Sequence, residues 1–543
     1  MKRYYQYMID KNDEAITSFL ESRVMDETRR EYGGFKERFV DVKQTVYVFS
    51  YMAAAYTCEE SSYHQSNKVK GAMNLMLDYF NRELRSSNTF DFMSCNFSSA
   101  PDTAFCLEKL VPAYKLIQHS DLDIVLNKLY ALIRKMAIGV MNGGFHTPNH
   151  RWAISSALLL TSQIIDDKTL VNTIKHRVDQ YLNEGIDCNE DGEYAERSSG
   201  NYNAVVNRAL ISLYEITGEE KYLEYIKRNL DMMLKYFDPD DTIFTENSTR
   251  QDKGTEEYGF KYFFQYLYVA KENPIFNKAA SKLIIDSMKR NEFPNFLCDI
   301  LLRKELLEIT LEDPDYPKIY NKQFKDSGIV RFRNDNLGYT LLKNAKHFLI
   351  IKYKDMKIPV HIGVSMCHTR YFEIQEITPT EDGYELKFNV DGWYYTPFKD
   401  KQPTSDWWEM DHSKRELLIT STLEIKVKIK HMDNGISLSV DTSGYKSIPI
   451  RLEAGIPDGC VLENEHLTTE ATAGNFLLLK KGNIRAQGSN SACTIENGFF
   501  EHNFMGHMTK DNRDADHFSL VMTGYTPVNQ TVTIEFEDRK WMY

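Results

Sequence analysis

The sequence predicts an α+β chain of two domains, an N-terminal (α/α) toroid over residues 1–315 and a C-terminal antiparallel β-sandwich over residues 325–543. Three observations carry that expectation. At 543 residues the chain exceeds what one hydrophobic core organises, and 42% hydrophobic residues are enough to fill more than one. Apolar residues recur at helical spacing up to about residue 310 and alternate beyond it. Pro314 and Pro317 fall where the period changes.

In the first half, Leu223, Ile226, Leu230, Met233, Leu234 and Phe237 lie at spacings of three and four, one face of a helix. Val205, Val206, Ala209, Leu210 and Leu213 do the same one helix earlier. Gly218 between them is the glycine stop of a short helix–helix turn. Ala153 to Ile165 is apolar nearly all round, as in a helix buried on both sides. A ring of inner helices inside amphipathic outer ones produces that mixture.

Ser327-Gly328 opens the second half. From Leu423 the chain reads Leu-Glu-Ile-Lys-Val-Lys-Ile-Lys, a half-buried strand. Asn434-Gly435 then turns it into Ile436-Ser437-Leu438-Ser439-Val440, a strong hairpin signal. Thr531 to Glu537 alternates in the same way.

The net charge of −12 argues against a nucleic-acid partner or an anionic membrane surface. No run is long and apolar enough for a signal peptide or a membrane span. The eight cysteines are scattered without a CxxC pair, as expected of free thiols in a reducing cytosol. The expected location is therefore cytoplasmic, or periplasmic or secreted if a leader has been removed. The one assembly the sequence reading admits is a homodimer.

Polar loops set against buried helices mark the candidate site. The first is Asn142 to Trp152, ahead of the helix from Ala153. It supplies His146, Asn149, His150, Arg151 and Trp152 at a helix N-terminus, whose free N–H groups suit a carboxylate. The ordinary structural explanation is that Asn149 caps the helix and His150 is a core histidine. The second is Glu184 to Asn203, with Tyr194, Glu196, Arg197 and Tyr202 as its working cluster. Arg197 is placed to stabilise a tyrosinate, easing the formation of a base from a phenol. The Asp187/Asn189/Asp191 spacing is like the start of a calcium loop, but Ser198 stands where the closing glutamate belongs. The third comprises Asp102, well placed to cap a helix, and Arg250, able to pair with Asp252 or a sugar acid.

With these residues in view, the chain resembles the heparinase II/III and alginate or oligoalginate lyase superfamily. Asn149-His150 is similar to the Asn-His pair those lyases use on a uronate carboxylate. Asp191-Gly192, Glu196 and Ser199-Gly200-Asn201-Tyr202 resemble the stretch that supplies their catalytic tyrosine. Ser327 to Arg331 resembles the entry into their β-domain. The resemblance implies an enzyme that cleaves uronate-containing oligo- or polysaccharides by β-elimination, without a cofactor. Tyr202 would serve as base and acid, Asn149 and His150 would neutralise the carboxylate, and Arg197 and Glu196 would complete the catalytic group. His146, Arg151, Trp152, Tyr194, Asp102, Arg250, His361 and His368 would bind substrate. Trp393-Tyr394-Tyr395 and Trp407-Trp408 are available to stack on sugar rings. A structural zinc of the kind that the resembling lyases hold would draw on His361, His368 and His412, but no ligand spacing marks them. No metal is expected at the catalytic centre.

Two other readings stand beside this one. Toroid β-glucuronidases share the architecture, and a glycoside hydrolase would draw its acid and base from Asp187, Asp191, Glu193 and Glu196. A non-catalytic carbohydrate-binding protein would leave Tyr202 and Glu196 free to vary. If the enzyme is cytoplasmic, short oligosaccharides and exo action are expected.

Overall fold

A computed structural model describes residues 1–35, 42–92, 96–480, 482–497 and 515–539. The chain divides into two compact units. One comprises Met1–Tyr236 and Thr242–Pro317, the other Phe237–Asp241 and Lys318–Tyr543.

The first unit is helical. Its helices are α1 (Lys2–Ser22), α2 (Lys43–Thr57), α3 (Asn67–Glu83), α4 (Ala100–Ile117), α5 (Asp123–Asn142) and α6 (Pro148–Ser162). They continue with α7 (Lys168–Leu182), α8 (Tyr202–Thr217), α9 (Glu220–Leu234), α10 (Phe263–Tyr268), α11 (Pro274–Lys289) and α12 (Leu297–Leu301). The even-numbered helices pack on one another in turn, α2 on α4, α4 on α6 and α6 on α8, and α12 returns to α2 and α4. The odd-numbered ones lie outside them, α5 on α4, α7 on α6, α9 on α8 and α11 on α10. This inner and outer layering follows from composition. In α6 every residue but Pro148 and Arg151 is buried, whereas α7 buries only Leu170, Ile174 and Val178. Between α8 and α9, Gly218 adopts φ +71° and closes α8 with an N–H bond to the Tyr214 carbonyl. The helical spacing that reaches Phe237 overruns the helix. Helix α9 stops at Leu234, and Phe237 belongs to the second unit.

Among the described residues the second unit holds two nine-stranded sheets. In one, Leu417–Met432 lies between Gly383–Tyr395 and Gly435–Gly444, and Asn529–Asp538 follows next. In the other, Met356–Met366 lies between Leu349–Tyr353 and Pro449–Ile456, and Tyr320–Phe324 forms one edge. A single core joins their inner faces, with Ile351, Ile358 and Ile362 from one sheet and Ile425, Val427 and Leu438 from the other. The alternation read from Leu423 sits in Leu417–Met432, whose Met432 faces Gly435 in register. Gly435 opens the return strand, where an added Cβ would stand 2.3 Å from the Ile534 carbonyl oxygen. The first strand begins at Tyr320, earlier than Ser327-Gly328. That pair is instead the turn between Tyr320–Phe324 and Ile329–Arg333, with Gly328 at φ +70°. Within this unit Asp238 is buried and holds Arg331 at 2.6 Å and Lys352 at 2.9 Å. No helix among the described residues is long and apolar enough to cross a membrane.

Candidate active site

The N-terminal turns of the inner helices carry the polar side chains. Lys43 opens α2, Asp102 stands in the first turn of α4, Asn149 and His150 in that of α6, and Tyr202 opens α8. Each turn adds backbone N–H groups without helical partners and a partial positive charge.

Helix α6 begins at Pro148 rather than Ala153, because Thr147 is extended and proline suits the first helical position. Asn149 is therefore inside the helix and not its cap. Its side chain is 0% exposed, and Nδ2 donates to Glu196 Oε2 at 2.8 Å while Oδ1 has no hydrogen-bond partner among the described residues. Arg250 Nε lies 3.3 Å from the other Glu196 oxygen. Arg250 thus pairs with Glu196, not with Asp252. Burial pushes the Glu196 carboxyl above its ordinary value, and the Asn149 bond and Arg250 offset part of that. The Arg250 guanidinium also lies over the Tyr202 ring, 5.1 Å from its centroid. The Tyr202 hydroxyl, half-buried, makes no hydrogen bond among the described residues.

His150 is buried, with His146 edge-on at 5.0 Å between centroids and Phe105 at 6.0 Å. Burial, with His146 beside it, lowers its pKa to about 4, so the ring is neutral near pH 7. Its Nδ1 has no hydrogen-bond partner among the described residues. Asp102 accepts from Lys43 Nζ at 2.8 Å and from Ser99 Oγ at 2.6 Å. Burial raises its carboxyl, but Lys43 and these donors outweigh it and the group ends below its ordinary range. Ser99 is the cap of α4 and accepts from the Asp102 N–H at 3.2 Å, so Asp102 answers the cap rather than providing it.

Several expected roles change. Arg197 does not tune Tyr202: at φ +48° its side chain turns to the Asn247 carbonyl, 3.3 Å from Nε, and the guanidinium over Tyr202 is that of Arg250. Tyr194 is buried, donating to Asn207 Oδ1 at 2.7 Å, and burial holds its hydroxyl well above the ordinary tyrosine value. Trp152 is 0% exposed and donates Nε1 to Asp187 at 2.8 Å. Arg151 covers the Trp152 ring and donates to the Gly185 carbonyl at 2.8 Å. These three hold the Glu184 to Tyr194 loop in place, and a buried Tyr194 or Trp152 offers no surface to a sugar.

Asp252 organises both loops that bear the site. It accepts from Ser198 Oγ at 2.9 Å and the Gly200 N–H at 2.9 Å on one side, and from Ser248 Oγ at 2.6 Å on the other. Ser198 Oγ in turn accepts from the Tyr202 N–H, and Ser248 Oγ from the Arg250 N–H. Lys43 and this use of Asp252 escaped the sequence reading. The signal available was position, a lysine opening an inner helix and an aspartate four residues after Ser248.

The remaining carboxylates serve different partners. Glu193 accepts from Asn189 at 3.0 Å and Tyr236 at 3.0 Å, while Asp187 faces Trp152 and Arg151. Among the described residues no group of three or more histidine, cysteine or acidic side chains is set to hold a metal. In the second unit, His361 is buried 3.4 Å from Glu453, so it is not a surface contact. His368 is exposed and stacks on Trp393 at 4.3 Å. His412 meets the Trp407 carbonyl at 2.8 Å, and the three histidines do not form a ligand set. Tyr394, Tyr395, Trp407 and Trp408 are exposed rather than core.

The fold this arrangement sits on is the helical toroid followed by an antiparallel β-sandwich that solved polysaccharide lyases share. A heparinase III matches with a TM-score of 0.56 at 11% identity, over 97% of this chain and 84% of that one. A mutant of the heparan sulfate lyase of Pedobacter heparinus matches with a TM-score of 0.54 at 10% identity, over 98% and 84%. The chondroitin AC lyase of Streptomyces coelicolor, in complex with chondroitin sulphate, matches with a TM-score of 0.53 at 9% identity, over 99% and 78%. No family model and no curated protein matches the chain.

Proposed function

We propose that this chain is a polysaccharide lyase that cleaves uronate-containing glycans by β-elimination. The observation that carries the reading is the Tyr202 ring beneath Arg250, its hydroxyl without a hydrogen bond among the described residues, with Asn149 and Glu196 hydrogen-bonded beside that guanidinium. The solved structures of like fold are named as lyases of heparan sulfate and chondroitin, which favours elimination over hydrolysis.

Elimination breaks the C5–H bond of the uronate, forms the C4=C5 double bond and breaks the bond from C4 to the leaving oxygen. The Tyr202 hydroxyl gives its own proton to that leaving oxygen as its oxygen takes the C5 proton, ending as it began. The C5 proton leaves readily only if the adjacent carboxylate is neutralised as enolate-like charge builds. Arg250 supplies the cation. Glu196, held by Asn149, lies against that guanidinium and orients it. The Asn149 amide acts through Glu196, and the neutral His150 ring adds an uncharged polar group at the N-terminus of α6.

The test is a product assay on uronate-containing oligosaccharides, following ultraviolet absorbance alongside reducing ends. New absorbance from a C4=C5 bond supports elimination. Reducing ends without it mean hydrolysis and overturn the proposal.

A further inference from the structure

The same inner helices enclose a second charged site at their far ends. A cavity of about 310 Å³ is lined by Glu108 and Lys115 of α4, Leu160 of α6, Arg208 and Ile211 of α8, and Phe264 of α10. Along α4, Asp102 and Lys115 are roughly 20 Å apart at the helical rise, so this cavity is distinct from the Tyr202 site.

Its charges are unevenly matched. Arg303 takes Glu215 at 2.6 Å and approaches Asp299 at 3.8 Å, which engages two of the four acids lining the cavity and leaves Glu108 and the exposed Glu305. Arg208 and Lys115 form no ion pair among the described residues, and Arg208 Nε is buried without a partner. Glu108 is 8% exposed, with the Ser156 hydroxyl beside it, and its Oε1 meets no donor of good hydrogen-bonding geometry among the described residues. Burial raises the Glu108 carboxyl to about 7, against the pull of Arg208. A buried donor and a buried acceptor left without good hydrogen bonds in one cavity are costly for a fold unless something meets them. Leu160, Ile211 and Phe264 supply an apolar wall, and the volume lies at the small end of ligand sites.

We propose that this cavity binds a small hydroxy acid of about monosaccharide size, its carboxylate held by Arg208 and Lys115 and one of its hydroxyls donating to Glu108. The inference does not rest on the lyase reading.

Calorimetric titration of the full chain with glucuronate, glucose and acetate tests it. Glucuronate is expected to bind saturably, with glucose and acetate at least tenfold weaker. Arg208→Gln and Lys115→Met should each weaken that binding at least tenfold, while Arg250→Ala, which alters the Tyr202 site, leaves it in place. Lys115 is half-buried, so Lys115→Met decides the matter if Arg208→Gln does not fold. Absence of saturable glucuronate binding overturns the proposal. So does binding that survives Lys115→Met but is lost in Arg250→Ala, since the ligand then sits at the Tyr202 site. A wild-type protein that binds glucuronate in this way but forms no C4=C5 product counts against the lyase reading alone.

Discussion

Asn149 Nδ2 meets Glu196 Oε2 at 2.8 Å across forty-seven positions of sequence. The bond ties the first turn of α6 to the loop that leads into α8, and Arg250 closes it from a third segment. Three stretches of chain therefore fix one carboxylate. Asn149→Ala removes the amide donor from the buried Glu196 carboxylate, at a cost of about 1–3 kcal/mol. A lower melting temperature together with weaker uronate handling is expected. Lost stability with unchanged turnover would leave Asn149 a purely structural residue.

Tyr202→Phe keeps the ring under Arg250 and deletes the proton carrier. The ultraviolet product signal should fall by about 10²–10⁴-fold, the usual contribution of a positioned acid–base group, while oligosaccharide affinity stays near wild type. Turnover within a few-fold of wild type would remove Tyr202 from the chemistry.

The two arginines should separate cleanly. Arg250→Ala removes the guanidinium from both Glu196 and Tyr202, so kcat/KM is expected to drop by about two orders of magnitude or more, in keeping with the loss of a preorganised charge contact. Arg197→Ala gives up one bond to the Asn247 carbonyl and should alter kcat/KM far less. The reverse order in steady-state kinetics would restore Arg197 as the tuning residue.

Asp252→Ala strands Ser198 Oγ, the Gly200 N–H and Ser248 Oγ at once. Hydrogen bonds to a charged group contribute about 1.5–3 kcal/mol each, less than additively. Chemical denaturation should show a loss of about 3 kcal/mol or more on that scale. Activity should fall as well, because the loops bearing Tyr202 and Arg250 both lose their anchor.

How much of this was legible in the sequence depends on the range of the interaction. The alternation from Leu423 to Lys430 and the all-round apolar α6 are local properties, and the elements formed where the periods lie. Which guanidinium meets Tyr202 is not local. Arg197 is close in sequence, but its positive φ turns it away, and Arg250 arrives from a distant loop. Trp152 and Tyr194 read as contact residues because they sit in polar loops. Their burial depends on Asp187 and Asn207, partners that no spacing rule connects to them.

Acid should weaken the folded state through His150. Its folded value near 4 lies below the 6.5 of a free histidine, so between those values the unfolded chain binds a proton that the folded chain does not. The contribution is fully present above pH 6.5 and is lost as pH falls toward 4. Glu108, with its value raised to about 7, acts in the opposite sense over the same window in both proteins, so the His150 contribution is read as a difference: between pH 7 and pH 5 the melting temperature of the wild type should fall relative to that of His150→Gln. Parallel slopes would show that another group carries the proton linkage.

The short stretch Phe237–Asp241 belongs to the sandwich unit although helical-unit sequence flanks it on both sides. The polypeptide therefore passes between units three times, and no single cut yields both intact. A fragment starting at Lys318 would lack Asp238 and leave Arg331 and Lys352 without their shared carboxylate. Joining a sandwich of this kind to another protein would require Phe237–Asp241 to travel with it, as a graft of two pieces rather than one.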